Sequence, residues 1–133
     1  MNSELLKAPS RTALGREAEA FVVERLEALG LPIEARNLRL GALEIDIVLR
    51  DGRTIALVEV RRRGPGSLTR PLSSVGYPKR VFLERAAARL WRMRYSKDNT
   101  VDRMRLDIAA VIPTGDGFDL EYVRGALPLK SRP

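Results

Sequence analysis

The sequence contains no cysteine and no histidine among its 133 residues. Without cysteine there is no disulfide framework and no thiolate chemistry. Without histidine, the commonest general base and a frequent zinc ligand are both missing. Any catalysis by this chain must therefore use carboxylates, amines, hydroxyls or a hard metal ion held by oxygen atoms.

Long apolar runs are also absent. None approaches the roughly 20 residues of a membrane span, and the N-terminus lacks the basic-then-apolar layout of a secretory signal. The sequence therefore predicts a soluble, cytoplasmic protein. Its length and its 44% hydrophobic content suit one domain with a single core. We expect that domain over residues 13–126, with a flexible N-terminal arm at 1–12 and a C-terminal tail at 127–133.

Positive charge is in excess, with a formal net charge of +7 at pH 7. A polyanion is the natural partner of such a chain, and the phosphate backbone of a nucleic acid is the simplest example. The charge alone favours nucleic-acid binding without establishing it.

The hydrophobic pattern predicts a mixed α/β domain in the order α-β-β-β-α-β-β, with helices covering a central sheet. Glycines and prolines between 61 and 78 predict a long basic loop ahead of the second helix. The predicted helices are Ala13 to Leu29 and Lys79 to about Tyr95, and the predicted strands are Ile33 to Leu40, Leu43 to Arg50, Thr54 to Val60, Arg105 to Ile112 and Phe118 to Arg124.

Asp51-Gly52 predicts a tight hairpin turn between the second and third strands. A two-residue turn there would place Arg50 opposite Arg53 and gather acidic residues on one face at the far end of the hairpin. In that register Glu44 lies opposite Glu59, with Asp46 diagonal to Glu59 at roughly 7–8 Å. A longer turn of the same parity would bring Asp46 closer to Glu59.

Two interpretations of these clustered acids remain open from the pattern alone. Like charges across a sheet are destabilising and need a compensating cation. That cation could be a hard Mg²⁺ or Mn²⁺ ion, which prefers carboxylate oxygens. It could instead be Arg61 and Arg63, in an ordinary ion-pair network with Glu44, Asp46 and Glu59.

Several short motifs resemble the YraN-like family of small bacterial proteins, which is similar to the Holliday-junction resolvases and belongs with the PD-(D/E)xK nuclease superfamily. The family pattern LGxxGE, RNxR, GEID and VEVKxR corresponds here to LGREAE from Leu14, with Ala18 in place of the second glycine, RNLR from Arg36, LEID from Leu43 and VEVRRR from Val58. Val75 with Lys79 fits the family's AVxxxK, and RLD from Arg105 resembles its RFD.

The resemblance implies a restriction-endonuclease-like fold and a metal-dependent nuclease that acts on DNA as a homodimer. In that superfamily the Asp of the first motif strand and the Glu of the second bind Mg²⁺ or Mn²⁺. Carried over, these are Asp46 and Glu59, with Glu19 as a further ligand or water-orienting group. Glu44 is a third metal ligand or the partner of an arginine.

Arg61 is the main departure from the family pattern, which has a lysine there. An arginine can grip a phosphate through two hydrogen bonds, but it stays protonated and cannot act as a base. Arg61 therefore either gives electrostatic stabilisation in an active enzyme or marks a site that binds without cutting. Leu43, in place of a glycine, favours the second reading.

A phosphate grip is expected from the basic residues around the predicted loop. Besides an active nuclease and a protein that binds nucleic acid without cutting it, a third possibility is a partner-binding domain in which the acids are simply ion-paired. The expected nucleic-acid-binding residues are Arg39, Arg61, Arg62, Arg63, Arg70, Lys79 and Arg80. Arg36 and Asn37 are either phosphate contacts or braces of the sheet, and the structural role is favoured for Asn37.

Overall fold

The computed structural model describes residues 3–63 and 77–127. Two helices and five strands follow one another in the predicted order α-β-β-β-α-β-β. Their bounds are α1 Ser3–Ala28, β1 Ile33–Leu40, β2 Leu43–Asp51, β3 Thr54–Arg62, α2 Tyr77–Leu90, β4 Arg103–Pro113 and β5 Phe118–Leu127. A π-helical segment, Trp91–Tyr95, continues directly from α2. The mixed α/β fold class is thus confirmed.

The five strands form one sheet in the order β1-β2-β3-β4-β5. Neighbouring strands pair antiparallel except for β3 and β4, which are parallel. A parallel pair requires a crossover between its strands, and α2 lies within that connection. The carboxyl end of β3 and the start of α2 therefore meet on the same side of the sheet, where the predicted acids and Lys79 lie.

The helices cover opposite faces of the sheet. On one face, Ala18, Val22 and Leu26 of α1 are buried at helical spacing against Ile47 and Val58. These residues recur every four positions, so they form one stripe along the helix.

The second helix repeats this arrangement on the other face. Leu83, Ala86, Ala87 and Leu90 of α2 pack in the same way against Leu57 and its neighbours. Both faces of the central strands are consequently buried, which explains their nearly continuous apolar sequence.

Gly30 ends the first helix as predicted. Its φ of 84° is left-handed, which glycine adopts without steric cost. The N–H of Gly30 donates to the carbonyl of Glu27, and the N–H of Leu31 donates to that of Leu26. These two bonds cap the helix carbonyls in a Schellman motif. The start of the helix was predicted wrongly, because α1 begins at Ser3 rather than Ala13.

The register predicted for the β2–β3 hairpin is wrong by two residues. Because the shift is an even number, each paired residue still lies on the sheet face that was predicted for it. Asp51 pairs with Thr54 and Arg50 with Ile55, so the turn residues are Gly52 and Arg53. Gly52 takes the first central position with a φ of 65°, the arrangement of a type II′ turn.

Arg53 fixes that turn in place. Its guanidinium donates to both carboxylate oxygens of Asp102, at 2.9 and 3.1 Å, and to the carbonyl of Asn99 at 2.7 Å. The turn is therefore tied to the segment that leads into β4.

A buried carboxylate joins β4 to β5. The Asp107 side chain is 0% exposed and accepts hydrogen bonds from the Arg105 Nε, the Tyr122 hydroxyl and the Gly125 N–H. Gly125 has a left-handed φ of 60°, and the β4–β5 register shifts beside Asp107. We call these four residues the Asp107 cluster.

The predicted basic loop falls largely outside the described residues, which omit 64–76. Arg61 and Arg62, at its predicted start, belong to β3, and Pro78 belongs to α2. Within the described ranges, no helix is long and apolar enough to cross a membrane.

Candidate functional site

Three of the predicted acids come together where α1 passes the ends of β2 and β3. Glu19 lies on α1, Asp46 on β2 and Glu59 on β3. Asp46 raises the pKa of both Glu19 and Glu59 by charge repulsion, so Asp46 lies near each of the other two carboxylates. In the observed register Ile47 pairs with Val58, which brings Asp46 closer to Glu59 than the predicted register would, although the turn itself still has two residues. The prediction that Glu44 faces Glu59 is therefore wrong.

Asp46 is held by the backbone of the neighbouring strand. The N–H of Val60 donates to Asp46 Oδ2 at 2.9 Å. The backbone pairing of β2 with β3 runs only from Asp51–Thr54 to Ile47–Val58, so this side-chain bond continues the connection past the end of the ladder. The carboxylate consequently has a fixed orientation between the two strands.

A break in strand alternation produces this geometry. Ile45 packs in the cluster under α2, whereas Ile47 packs in the cluster under α1, although residues two apart normally share a face. Asp46 lies between them, at the change of face. Opposite it on β1, Asn37 has a φ of 52°, a left-handed conformation that asparagine tolerates better than most residues.

Glu19 is positioned by the same irregular residue. The side-chain amide of Asn37 donates to Glu19 Oε1 at 3.0 Å, and the Arg36 guanidinium lies 3.8 Å from the same oxygen. The structural role predicted for Asn37 takes a specific form here, since it braces an acid of the site. A local backbone prediction could not identify that partner, because Glu19 is 18 residues away in another element.

Glu59 is paired with a cation from the second helix. The Lys79 Nζ lies 3.4 Å from Glu59 Oε2, with the Glu59 side chain 14% exposed and that of Lys79 47% exposed. Sequence reasoning placed Lys79 in a phosphate grip and missed this contact. The spacing between β3 and α2 gave no signal for it, because the contact depends on the crossover geometry.

All three carboxylates have a raised pKa, and burial is the largest cause in each. For Glu59 the next cause is the charge of Asp46, and Lys79 acts in the opposite direction. For Asp46, the Val60 N–H and Lys79 lower the pKa and Glu44 raises it, but burial prevails. For Glu19, the Asn37 bond offsets burial only in part. The site therefore concentrates negative charge that its own residues do not fully compensate.

The donors present fit a hard divalent ion. In the part of the chain that the structure describes, no group of three or more acids is arranged to hold a metal by itself. Magnesium is commonly bound through only one or two carboxylates, with water and substrate phosphate completing its shell. Asp46 and Glu59, from adjacent strands, supply such a pair, which we call the acidic pair. Glu19 and Glu44 add charge nearby.

Arg63 pairs with an acid that the alternative ion-pair network did not include. Arg63 is buried and its Nη1 lies 2.7 Å from Glu121 Oε1, on β5. Among the described residues, Arg61 makes no ion pair within 4 Å, and its charge is the weakest of the causes acting on the Glu59 pKa. Lys79 is the cation that contacts the acidic pair.

The other predicted phosphate contacts are distributed unevenly. Arg61 is partly exposed and Arg62 is exposed at the end of β3, while Arg80 is partly exposed on α2. Arg39 is exposed and pairs in register with Glu44 across β1 and β2. Arg63 is engaged with Glu121, and Arg70 lies outside the described residues.

Comparison with known proteins gives one consistent family. The model of the uncharacterised protein family UPF0102 matches residues 18–111. The UPF0102 protein sce2912 of Sorangium cellulosum is 48% identical over 121 residues, covering 90% of this chain and 83% of that protein. A UPF0102 protein of Acidothermus cellulolyticus is 37% identical, covering 90% and 96%, and one of Nitratidesulfovibrio vulgaris is 36% identical, covering 90% and 87%.

Proposed function

This chain belongs to the uncharacterised protein family UPF0102, the YraN family that its motifs resemble, and we propose that it is a nuclease-like protein that binds DNA and hydrolyses phosphodiester bonds with Mg²⁺ or Mn²⁺. The observation that carries the proposal is the acidic pair. Two partly buried carboxylates lie on adjacent strands, and both have a raised pKa. Such an arrangement costs stability, and a divalent cation would offset that cost.

The residues around the pair have separable roles in this proposal. Asp46 and Glu59 hold the ion, and the Val60 N–H keeps Asp46 in its orientation. When bound, the ion lowers the pKa of a coordinated water and neutralises charge on the phosphate. Glu19, fixed by Asn37, accepts a hydrogen bond from the attacking water or contributes to the ion's shell.

Lys79 supplies an ammonium 3.4 Å from Glu59, on β3, the strand on which the family pattern has a lysine and this chain has Arg61. A preorganised cation next to the reacting phosphate stabilises the charge that develops in the transition state. Arg61 and Arg62, at the open end of the same strand, grip the neighbouring phosphates. The protein acts on DNA in the cytoplasm in this proposal, and the resolvase resemblance extends it to a homodimer.

A non-cleaving nucleic-acid-binding protein is the second candidate, and Arg61 favours it. An arginine at this position keeps the positive charge but cannot exchange a proton with the attacking water. In that case Asp46 and Glu59 would still hold an ion, which would supply positive charge for phosphate binding without hydrolysis.

A cleavage assay separates the two candidates. Labelled branched, duplex and single-stranded DNA is incubated with Mg²⁺ or Mn²⁺ and wild type, Asp46→Ala, Arg61→Lys or Asp102→Ala. Asp102 is a matched control, because it is a carboxylate paired with Arg53 beside the hairpin turn. Mutating a residue that only supports a metal ligand lowers metal affinity or activity by about 10–100-fold. Replacing Asp46, a proposed ligand itself, should therefore lower the cleavage rate by more.

The outcomes assign the function directly. Cleavage by wild type and Asp102→Ala that Asp46→Ala abolishes supports the nuclease and shows that Arg61 is compatible with it. DNA binding without cleavage by wild type, with cleavage gained in Arg61→Lys, supports the binding protein. Cleavage that persists at the wild-type rate in Asp46→Ala would contradict the proposed site.

A further inference from the structure

A small groove lies between the β1–β2 turn and α2, next to the acidic pair. Its volume is about 160 Å³. Pockets that enclose a whole cofactor or drug-sized ligand are usually larger, at roughly 300–1,000 Å³. The groove therefore suits a single flat ring laid against an open wall. Its lining residues are Ala42, Leu43, Glu44, Lys79, Phe82 and Leu83.

Phe82 makes one wall of this groove an exposed aromatic surface. Its side chain is 50% exposed, whereas the adjacent Leu83 is only 4% exposed in the core under α2. The helix is thus anchored by Leu83 while Phe82 projects to solvent. The other exposed large hydrophobic residues in the described ranges are Leu29 and Met93, which are aliphatic and lie outside the groove.

Lys79 connects the groove to the site of the proposed reaction. The same side chain lines the groove and lies 3.4 Å from Glu59. Glu44, with the opposite charge, also lines the groove. A phosphate would be attracted by Lys79 and repelled by Glu44, whereas the edge of a base carries hydrogen-bond donors that a carboxylate can accept.

We propose that this groove binds one unpaired base of a DNA substrate, stacked on Phe82, with the adjoining phosphate near Lys79. The inference rests on the proposed DNA-binding function and narrows its substrate to DNA with an unpaired base beside the bond to be cut. Bases within a duplex are already stacked on their neighbours, so only a single-stranded or branched region presents a free face. Aromatic side chains beside basic groups are the usual platform for such bases.

Binding is measured by fluorescence anisotropy with a labelled single-stranded oligonucleotide in EDTA, so that cleavage does not intervene. A second oligonucleotide has the same length with every base replaced by an abasic site. The variants are Phe82→Ala, Phe82→Trp and Met93→Ala. Met93 is a matched control, because it is also exposed, at 62%, but lies outside the groove. Thermal unfolding of each variant verifies that it is folded.

Stacking on one aromatic side chain corresponds to about a 5- to 140-fold change in Kd. We expect Phe82→Ala to raise the Kd for the normal oligonucleotide by that factor and to leave the abasic one unchanged. Phe82→Trp and Met93→Ala should bind like wild type. A wild-type Kd for Phe82→Ala, an equal loss on both oligonucleotides, or no binding by any variant would overturn the inference.

Metal-dependent cleavage in the assay with Asp46→Ala is read independently of this titration. Cleavage that survives alongside a wild-type Kd for Phe82→Ala means that only the groove assignment has failed. Absence of cleavage with a Phe82-dependent Kd means that only hydrolysis has failed.

Discussion

Two regions of the sheet bury carboxylates in opposite ways. In the Asp107 cluster, one carboxylate receives hydrogen bonds from a guanidinium, a hydroxyl and a backbone N–H. In the acidic pair, Asp46 receives one backbone N–H, Glu59 has one lysine at 3.4 Å, and burial raises the pKa of both. The first arrangement stabilises the fold, whereas the second leaves negative charge available for a ligand.

The difference shows that the function of a buried carboxylate depends on how fully its charge is compensated. A buried charge is tolerated when hydrogen bonds and an opposite charge surround it. Asp107 meets that condition, although Arg105 Nη2 is buried without a hydrogen-bond partner among the described residues. The acidic pair meets it only in part, and this incomplete compensation is the observation behind the ion site that we propose there.

Replacing Asp107 should have the largest effect on stability. Asp107→Ala leaves the Arg105 Nε, the Tyr122 hydroxyl and the Gly125 N–H without their acceptor, while the Arg105 Nη1 keeps its ion pair with Asp51 at 3.0 Å. Breaking a buried ion pair in this way costs about 3–5 kcal/mol of the free energy of unfolding. Urea unfolding measures this loss, with Tyr122→Phe as the control that removes a single hydrogen bond and costs about 1 kcal/mol. A loss below that of Tyr122→Phe would show that Asp107 does not hold β4 to β5.

Replacing Asp46 should act in the opposite direction. The pKa of Asp46 is raised in the fold, so its stabilising contribution is present at low pH and is lost as the pH rises through that value. Asp46→Asn resembles the protonated form and retains an oxygen for the Val60 N–H. We expect it to raise the free energy of unfolding at pH 7 by about 0.5–2 kcal/mol, as removal of functional strain commonly does. The gain should shrink as the pH falls.

The control for this variant is Asp102→Asn. The hydrogen bond from Arg53 lowers the pKa of Asp102, so its contribution to stability is present at neutral pH and is lost as the pH falls. Thermal unfolding across pH should therefore show no stabilisation in Asp102→Asn at pH 7. Equal behaviour of the two variants would remove the distinction between the acidic pair and an ordinary ion pair.

Replacing Lys79 should have the smallest effect, on the salt dependence of DNA binding. Each phosphate contact contributes close to one unit to the slope of log K against log salt concentration. Lys79→Ala should lower that slope by about 1, whereas Arg53→Ala, a cation at the hairpin turn paired with Asp102, should leave it unchanged. An unchanged slope in Lys79→Ala would restrict Lys79 to its ion pair with Glu59.

Much of this fold could be predicted from local patterns. The helical spacing around Val22 and Leu83, the Gly30 stop and the apolar strands each depend on residues close in sequence. The hairpin register could not be fixed in the same way. Asp51-Gly52 is compatible with two turn geometries, and the contact of Arg53 with Asp102, far along the chain, accompanies the one observed.

In the candidate site, too, local motifs identified the residues but not the contacts between distant elements. Motif positions identified Asp46, Glu59 and Glu19, and the structure brings them together. The bond from Val60 to Asp46, the change of strand face and the Lys79–Glu59 pair depend on how distant elements pack, so no local pattern encodes them. The metal, the DNA contacts and the dimer stay predictions from the resemblance and the charge.

Direct titration with Mn²⁺ tests the acidic pair as an ion site, with the free ion followed by electron paramagnetic resonance. Wild type, Asp46→Asn, Glu59→Gln and Asp102→Asn are compared at neutral pH. The account predicts that wild type and Asp102→Asn withdraw Mn²⁺ from solution and that the two variants of the acidic pair do not. Wild type that leaves the free-ion signal unchanged, or Asp46→Asn that binds as wild type does, would contradict it.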